Sequence, residues 1–266
     1  MNTEDSRTIL PISIVIPAYS EEVVLPKLLE SIKKQIFQPF EVIVADADSP
    51  DKTIEIARDF GCVVVKGGKV AVGRNAGAKV AKSDYLLFMD ADTSLSTDTM
   101  LLEVFSDFVK TECDIASVGY VPEKKGSTRF GFLASTVLFS FWNTARKIQS
   151  ITQNPSLEGG AFILVKKAAF DYLGGFDVAV ALGEDRDFFA RAVKAGYRYQ
   201  HFNETINMST RRFKSLKGTA NAFGAGFLHY MLIGLGVYAG SKLVQKVLSK
   251  YGRLGGGKGK DQHEED

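Results

Sequence analysis

Two acidic pairs follow short apolar runs in the N-terminal half of the chain: Asp46-Ala47-Asp48 after Val42-Ile43-Val44, and Asp90-Ala91-Asp92 after Leu86-Leu87-Phe88-Met89. Carboxylates two residues apart at the end of a strand can both be turned toward one hard cation, one of them directly and the other through water. Mg²⁺ or Mn²⁺ commonly completes such a shell with substrate phosphates. Asp90 and Asp92 are therefore candidate metal ligands, although an isolated D-x-D elsewhere would read as a helix cap. Asp46 and Asp48 precede Ser49, Pro50 and Asp51, a helix start, and a carboxylate there can accept from a ribose hydroxyl or a base N–H. Alone this would be an Asx turn; with a second acidic strand end, nucleotide binding is the better explanation. Arg74 and Asn75 open a Gly-flanked helix, where backbone N–H groups favour anions and a diphosphate contact is expected. Asp185 and Glu184 stand in the acidic first turn of another expected helix, 184–195, in keeping with the helix dipole.

These residues need a frame, and the hydrophobic pattern supplies one. Ile12–Ile16, Val42–Val44, Val63–Val65 and Tyr85–Met89 read as strands, with helical spacing at Leu25, Leu28, Leu29, Ile32 and Ile36, at Ile54, Ala57 and Phe60, and from Val72 to Val80. Strands alternating with helices predict an α/β fold with a doubly wound, mainly parallel sheet flanked by helices. Ligands of such sheets bind beyond the carboxyl ends of the strands, where Pro17-Ala18-Tyr19-Ser20-Glu21-Glu22 and both acidic pairs fall. The second half is less regular: Phe130–Trp142 reads as a helix, and Ala161–Val165 and Tyr197–Phe202 as strands. The composition, 45% hydrophobic and 24% charged over 266 residues, is that of a globular protein. A formal charge of +2 is too small for the single-sign field of a nucleic-acid binder. Cys62 and Cys113 have neither disulfide-framework nor zinc spacing, and the acidic, charged start of the chain lacks the apolar core of a secretory signal.

Taken in order, Pro17-Ala18-Tyr19-Ser20-Glu21-Glu22, Ile43 to Thr53, Gly73-Arg74-Asn75-Ala76-Gly77 and Phe88-Met89-Asp90-Ala91-Asp92 resemble the nucleotide-sugar half of family 2 glycosyltransferases of GT-A fold. The resemblance continues through Glu158-Gly159-Gly160-Ala161-Phe162, Gly174-Gly175-Phe176-Asp177 and Gly183-Glu184-Asp185 with Arg191, and covers roughly residues 11 to 213. It implies transfer of a sugar from a nucleotide-diphosphate sugar to a lipid-linked or glycan acceptor, with inversion and with Mg²⁺ or Mn²⁺. It assigns Pro17, Tyr19, Glu21, Asp46, Asp48, Arg74, Asn75, Asp90 and Ala91 to the nucleotide sugar, and Gly159 and Gly160 to the acceptor. Asp90 and Asp92 would take the metal. Asp185, with Glu184 beside it, would be the general base, and a helix start favours the ionised form that a base requires.

Two features depart from the family pattern. Ala47 and Asp48 stand where adjacent aspartates and a glycine are common, which makes Asp46 the safer contact. Thr210-Arg211-Arg212-Phe213 replaces the Gln-x-x-Arg-Trp element of processive members, so polymer synthesis is disfavoured; Arg211 or Arg212 meets either the diphosphate or a headgroup. His201 reads as a structural histidine. From Thr219 to Ser241 no residue carries a formal charge; as a helix this run would extend about 34 Å, enough for a hydrocarbon core of roughly 30 Å. The expected division is a catalytic domain over 1–213, an apolar helical appendage at a membrane or an interface over 214–254, and a disordered tail over 255–266. The protein would then act at the cytoplasmic face of the membrane or in the cytoplasm. A sugar nucleotidyltransferase and a catalytically silent nucleotide-sugar-binding scaffold are the competing readings. The acidic loop after the first strand argues against the former, and the retention of Asp46, Asp90, Asp92 and Asp185 against the latter.

Overall fold

The computed structural model describes residues 9–124, 128–155, 158–180 and 183–210. The expectations for 214–254, for the tail and for Arg211 and Arg212 lie outside the described residues. In chain order the elements are β1 (Ile9–Ala18), α1 (Leu25–Lys33), β2 (Gln38–Asp46), α2 (Thr53–Asp59), β3 (Val63–Lys66), α3 (Val70–Val80), β4 (Tyr85–Met89), β5 (Thr93–Leu95), α4 (Met100–Lys110), β6 (Ile115–Pro122), α5 (Arg129–Thr152), β7 (Phe162–Lys166), α6 (Lys167–Tyr172), α7 (Glu184–Lys194) and β8 (Tyr199–Met208). One sheet contains all the strands, in the order β3-β2-β1-β4-β7-β6-β8-β5. The first four are parallel, β7 runs against both β4 and β6, β8 is parallel to β6, and β5 runs against β8. The sheet is thus mainly parallel with two reversed strands, and helices pack on both of its faces.

Burial on both faces explains why β1 and β4 are apolar almost throughout. Ile12, Ile14 and Ile16 join Leu25, Leu28 and Leu29 of α1 on one side, while Val15 joins Phe88, Phe170, Phe176, Phe188 and Phe189 on the other. Helix α3 lies unusually close to this second face. A Cβ on Gly77 would come within 2.3 Å of Val15 Cγ1, so no side chain fits there. This close approach brings the first turn of α3 to the carboxyl ends of β1 and β4.

Three differences from the sequence reading concern where elements end. Helix α5 runs ten residues beyond Trp142, because the polar residues that end the apolar run face inward. Asn143 donates from Nδ2 to Tyr120 O and accepts at Oδ1 from Tyr120 N, both at 2.9 Å, and so caps the backbone of β6. Helix α1 stops at Lys33, three residues short of the expected end. Strand β8 extends to Met208 through its pairing with β6 and β5. Among the described residues no helix is long and apolar enough to cross a membrane.

Candidate active site

The reversal of β7 places Phe162 opposite Met89, so the Gly159-Gly160 turn entering β7 meets Asp90 leaving β4. Between them lies Arg74, whose side chain is 2% exposed. Its Nη2 donates to Asp90 Oδ1 at 2.8 Å and to Gly160 O at 2.9 Å, and Nη1 donates to Glu184 Oε1 at 2.9 Å. The guanidinium lies 5.2 Å from the centroid of the Phe176 ring, so the aromatic core supports it from beneath. Burial opposes its charge, but the carboxylates of Asp90, Glu184 and Asp185 outweigh that cost and hold its pKa above the usual arginine value. A Cβ on Gly160 would come within 2.6 Å of Arg74 Nη2, which explains the glycine. Arg74, expected at the diphosphate, is thus the bracket that joins the end of β4, the start of β7 and the start of α7.

Asn75, also expected at the nucleotide, is engaged elsewhere. Its Nδ2 donates to Phe176 O at 2.8 Å and its Oδ1 accepts from Phe176 N at 2.9 Å. It therefore fixes the Gly174-Gly175-Phe176 turn, whose Leu173 and Gly175 carbonyls also accept from Arg191 at 2.7 Å each.

At the carboxyl ends of β1 and β2 the two following loops are stitched together. Buried Asp46 accepts from Ser49 N at 2.8 Å and from Ser49 Oγ at 2.6 Å, and Ser49 Oγ accepts from Ser20 N at 2.9 Å. Glu21 N donates to Thr53 Oγ1 at 2.9 Å, and Glu22 N to Asp51 Oδ2 at 3.2 Å. Ser20 and Asp48 both adopt left-handed backbone, with φ of 53° and 60°, a conformation that non-glycine residues keep only when their surroundings impose it. Pro17 ends up beside Ala45 in register, Tyr19 is exposed, and Asp48 is exposed with Lys66 Nζ 3.2 Å away. This loop pair and the end of β4 lie at one carboxyl edge of the sheet, since β2, β1 and β4 are parallel neighbours.

Asp92 and the buried Ala91 follow Asp90 in the turn to β5, where Ser209 N donates to Asp92 O at 2.9 Å. Among the described residues no group of three or more His, Cys, Asp or Glu side chains is gathered in metal-binding fashion. At Asp90, Oδ1 is taken by Arg74 and Oδ2 has no hydrogen bond among the described residues. A carboxylate oxygen of this kind fits a hard cation that completes its shell with phosphate and water.

Glu184 and Asp185 start α7 after Gly183, which has a φ of 83°. Burial of Glu184, then repulsion from Asp185, push its carboxyl up to about 7 against the pull of Arg74. Asp185 Oδ1 accepts from Arg186 N at 2.8 Å. Beneath Gly159 lies a polar group that sequence reasoning did not find. Arg146 sits 4.2 Å over the Tyr120 ring, and a Cβ on Gly159 would meet Arg146 Nη2 at 2.7 Å. The hydroxyl of Tyr120 is buried, and burial pushes its pKa up to about 12. Glu158 Oε2 accepts from Ser117 Oγ at 2.6 Å, and His201 Nδ1 lies 2.8 Å from that hydroxyl. The only local signal was the Glu158-Gly159-Gly160 run, since the partners come from β6, α5 and β8.

Comparison with known proteins gives this arrangement its kinship. The sequence profile of glycosyl transferase family 2 matches residues 13–174. The 4,4'-diaponeurosporenoate glycosyltransferase of Staphylococcus haemolyticus is 37% identical over 117 residues, 41% of this chain, which spans only 31% of that enzyme's length. The O-antigen chain rhamnosyltransferase RfbN of Salmonella typhimurium is 23% identical over 232 residues, 83% of this chain and 73% of that one. In structure, the chain resembles the mannosyltransferase PcManGT of Pyrobaculum calidifontis, solved in complex with GDP-Man and Mn²⁺, at a TM-score of 0.58 and 16% identity, covering 91% of this chain and 69% of that one. That likeness bears on the fold. The profile covers more than half of the chain and spans the stitched loops together with Arg74, Asp90 and Gly160, and on that ground the chain belongs to glycosyl transferase family 2.

Proposed function

We propose that the protein transfers a sugar from a nucleotide-diphosphate sugar to a hydroxyl of a lipid-linked or glycan acceptor, with inversion at the anomeric carbon. The observation that carries this reading is the buried guanidinium of Arg74, which fixes the donor-side strand end at Asp90 to the acceptor-side turn at Gly160 and to the acidic start of α7. In this reading Pro17, Tyr19, Glu21, Asp46 and Asp48 receive the nucleoside, and Asp90, Ala91 and Asp92 face the diphosphate. Gly159 and Gly160 border the acceptor. Arg74 and Asn75 position these groups. Asp185 takes the acceptor's hydroxyl proton as the acceptor oxygen bonds to the anomeric carbon, and the bond to the diphosphate oxygen breaks with its electrons leaving on the nucleoside diphosphate. Asp90 and Asp92 would hold Mg²⁺ or Mn²⁺, which neutralises charge on the leaving diphosphate when bound. The names of the Salmonella and Staphylococcus relatives support a glycan or lipid-like acceptor, and the Pyrobaculum complex supports a sugar nucleotide with Mn²⁺.

The test is turnover of a panel of nucleotide sugars, with and without Mn²⁺, by the protein and by Asp185→Asn. Loss of about 10²- to 10⁴-fold in turnover with little change in donor affinity is expected, together with a product of opposite anomeric configuration. Retained configuration refutes the single displacement. Lost donor affinity with unchanged turnover moves Asp185 to the nucleotide site.

A further inference from the structure

Helix α5 is inverted for a helix in water. Its buried residues are Gly131, Ser135, Phe139, Arg146 and Ser150, and Asn143 also points inward at the backbone of β6. Its exposed residues include Phe130, Leu133, Val137, Phe141, Ile148 and Ile151, the least exposed of them at 59%. At 3.6 residues per turn these six side chains fall within an arc of about 80° and run along roughly 32 Å of the helix. A water-facing helix normally carries its polar residues on that arc; here the exposed Thr144 is the one polar residue on it, and an apolar strip of this length marks an interaction surface.

We infer that this face of α5 docks on an anionic lipid surface, lying in the interfacial plane with its apolar strip among the acyl chains. Charge selects this partner. Over its 24 residues α5 contains no Asp or Glu, and its exposed basic residues, Arg129 and Lys147, stand five turns apart on the same flank of the strip. That is the pattern of an interfacial helix whose basic residues reach anionic headgroups. A second copy of α5 would bring only further positive charge to Arg129 and Lys147, and the uncharged 219–241 segment would bring no counter-charge. The docking face does not depend on the transfer chemistry proposed above. Through Asn143 and Arg146 it nevertheless touches Tyr120 and Gly159, and so the acceptor side of the proposed site.

The full chain is sedimented with vesicles of phosphatidylcholine alone and with vesicles containing about one-third phosphatidylglycerol. Binding to the anionic vesicles is expected, and Val137→Glu/Phe141→Glu should lower partitioning roughly tenfold or more with unchanged circular dichroism. Arg129→Gln/Lys147→Gln removes no apolar contact and serves should the glutamates disturb folding; it should weaken binding to the anionic vesicles alone. An environment-sensitive fluorophore on Val137→Cys, in a Cys62→Ala background that leaves only the buried Cys113, should shift to the blue when vesicles are added. Binding without that shift places the docking surface elsewhere and overturns the proposal, as does equal binding to neutral vesicles. A label already in apolar surroundings without lipid also overturns it, and sedimentation velocity then tells a second copy from the chain's own 219–241 segment.

Discussion

Replacing Glu184 by glutamine probes the balance of charge around Arg74. The Glu184 side chain is 13% exposed, and its Oε1 lies 2.9 Å from Arg74 Nη1. Burial and the adjacent Asp185 outweigh that contact and raise the carboxyl from 4.5 to about 7. Between those pH values the native state binds a proton that the unfolded chain has released, so stability falls as pH rises through the window. At about 1.4 kcal/mol per pH unit, the shift from 4.5 to about 7 corresponds to roughly 3 kcal/mol. Glutamine retains an oxygen that accepts from Arg74 but has no charge to bury. Glu184→Gln should therefore match the parent protein near pH 4.5 and exceed it by up to about 3 kcal/mol above pH 7. Urea denaturation across that range, with EDTA present to exclude metal and with equal slopes in denaturant, measures the difference. If the parent protein gains stability relative to the variant as pH rises, Arg74 compensates Glu184 fully and the reasoning fails.

Other substitutions test the remaining supports. Asn75→Ala leaves Phe176 N and O without their 2.9 and 2.8 Å partners and should cost about 2–3 kcal/mol in denaturant. Gly160→Ala puts a Cβ 2.6 Å from Arg74 Nη2; the displaced guanidinium should lower transfer by about 10²-fold, read as turnover at saturating donor. Ser49→Ala removes the hydroxyl between Asp46 and Ser20 and should weaken donor binding about tenfold, near 1.4 kcal/mol by calorimetry.

The parallel half of the fold was legible because each of its elements carries its own periodicity: β1, β2, β3 and β4 are short apolar runs, and the intervening helices bury regular faces. The positions of several candidate residues were legible for the same reason, since Asp46, Asp90 and Glu184 stand at element ends that local pattern marks. What Arg74 and Asn75 do was not legible. Their types suggested an anion contact, whereas their partners lie 16 to 110 residues away in sequence and exist only once β7 has paired with β4. The full length of α5 was hidden by a similar non-local effect. Asn143 and Arg146 interrupt its apolar pattern, yet they face β6 and the Gly159 turn, so polarity at those positions reports a buried partner and not the end of a helix. Strands β5 and β6 were not read from the sequence; β6 is held between β7 and β8, and β5 pairs with β8.

Under the proposed function, the stitched loops after β1 and β2 have a thermodynamic consequence for donor capture. Ordering a backbone residue costs about 1–2 kcal/mol in conformational entropy, and loops that close over a ligand meet that cost at the moment of binding. Here Ser20, Glu21 and Glu22 are already tied to Ser49, Thr53 and Asp51, so the ordering belongs to folding. Under the proposed function these two loops are consequently a mould with little compliance: a nucleoside of matching outline would meet a small entropic penalty there, and neither loop has slack with which to accommodate one of the wrong shape.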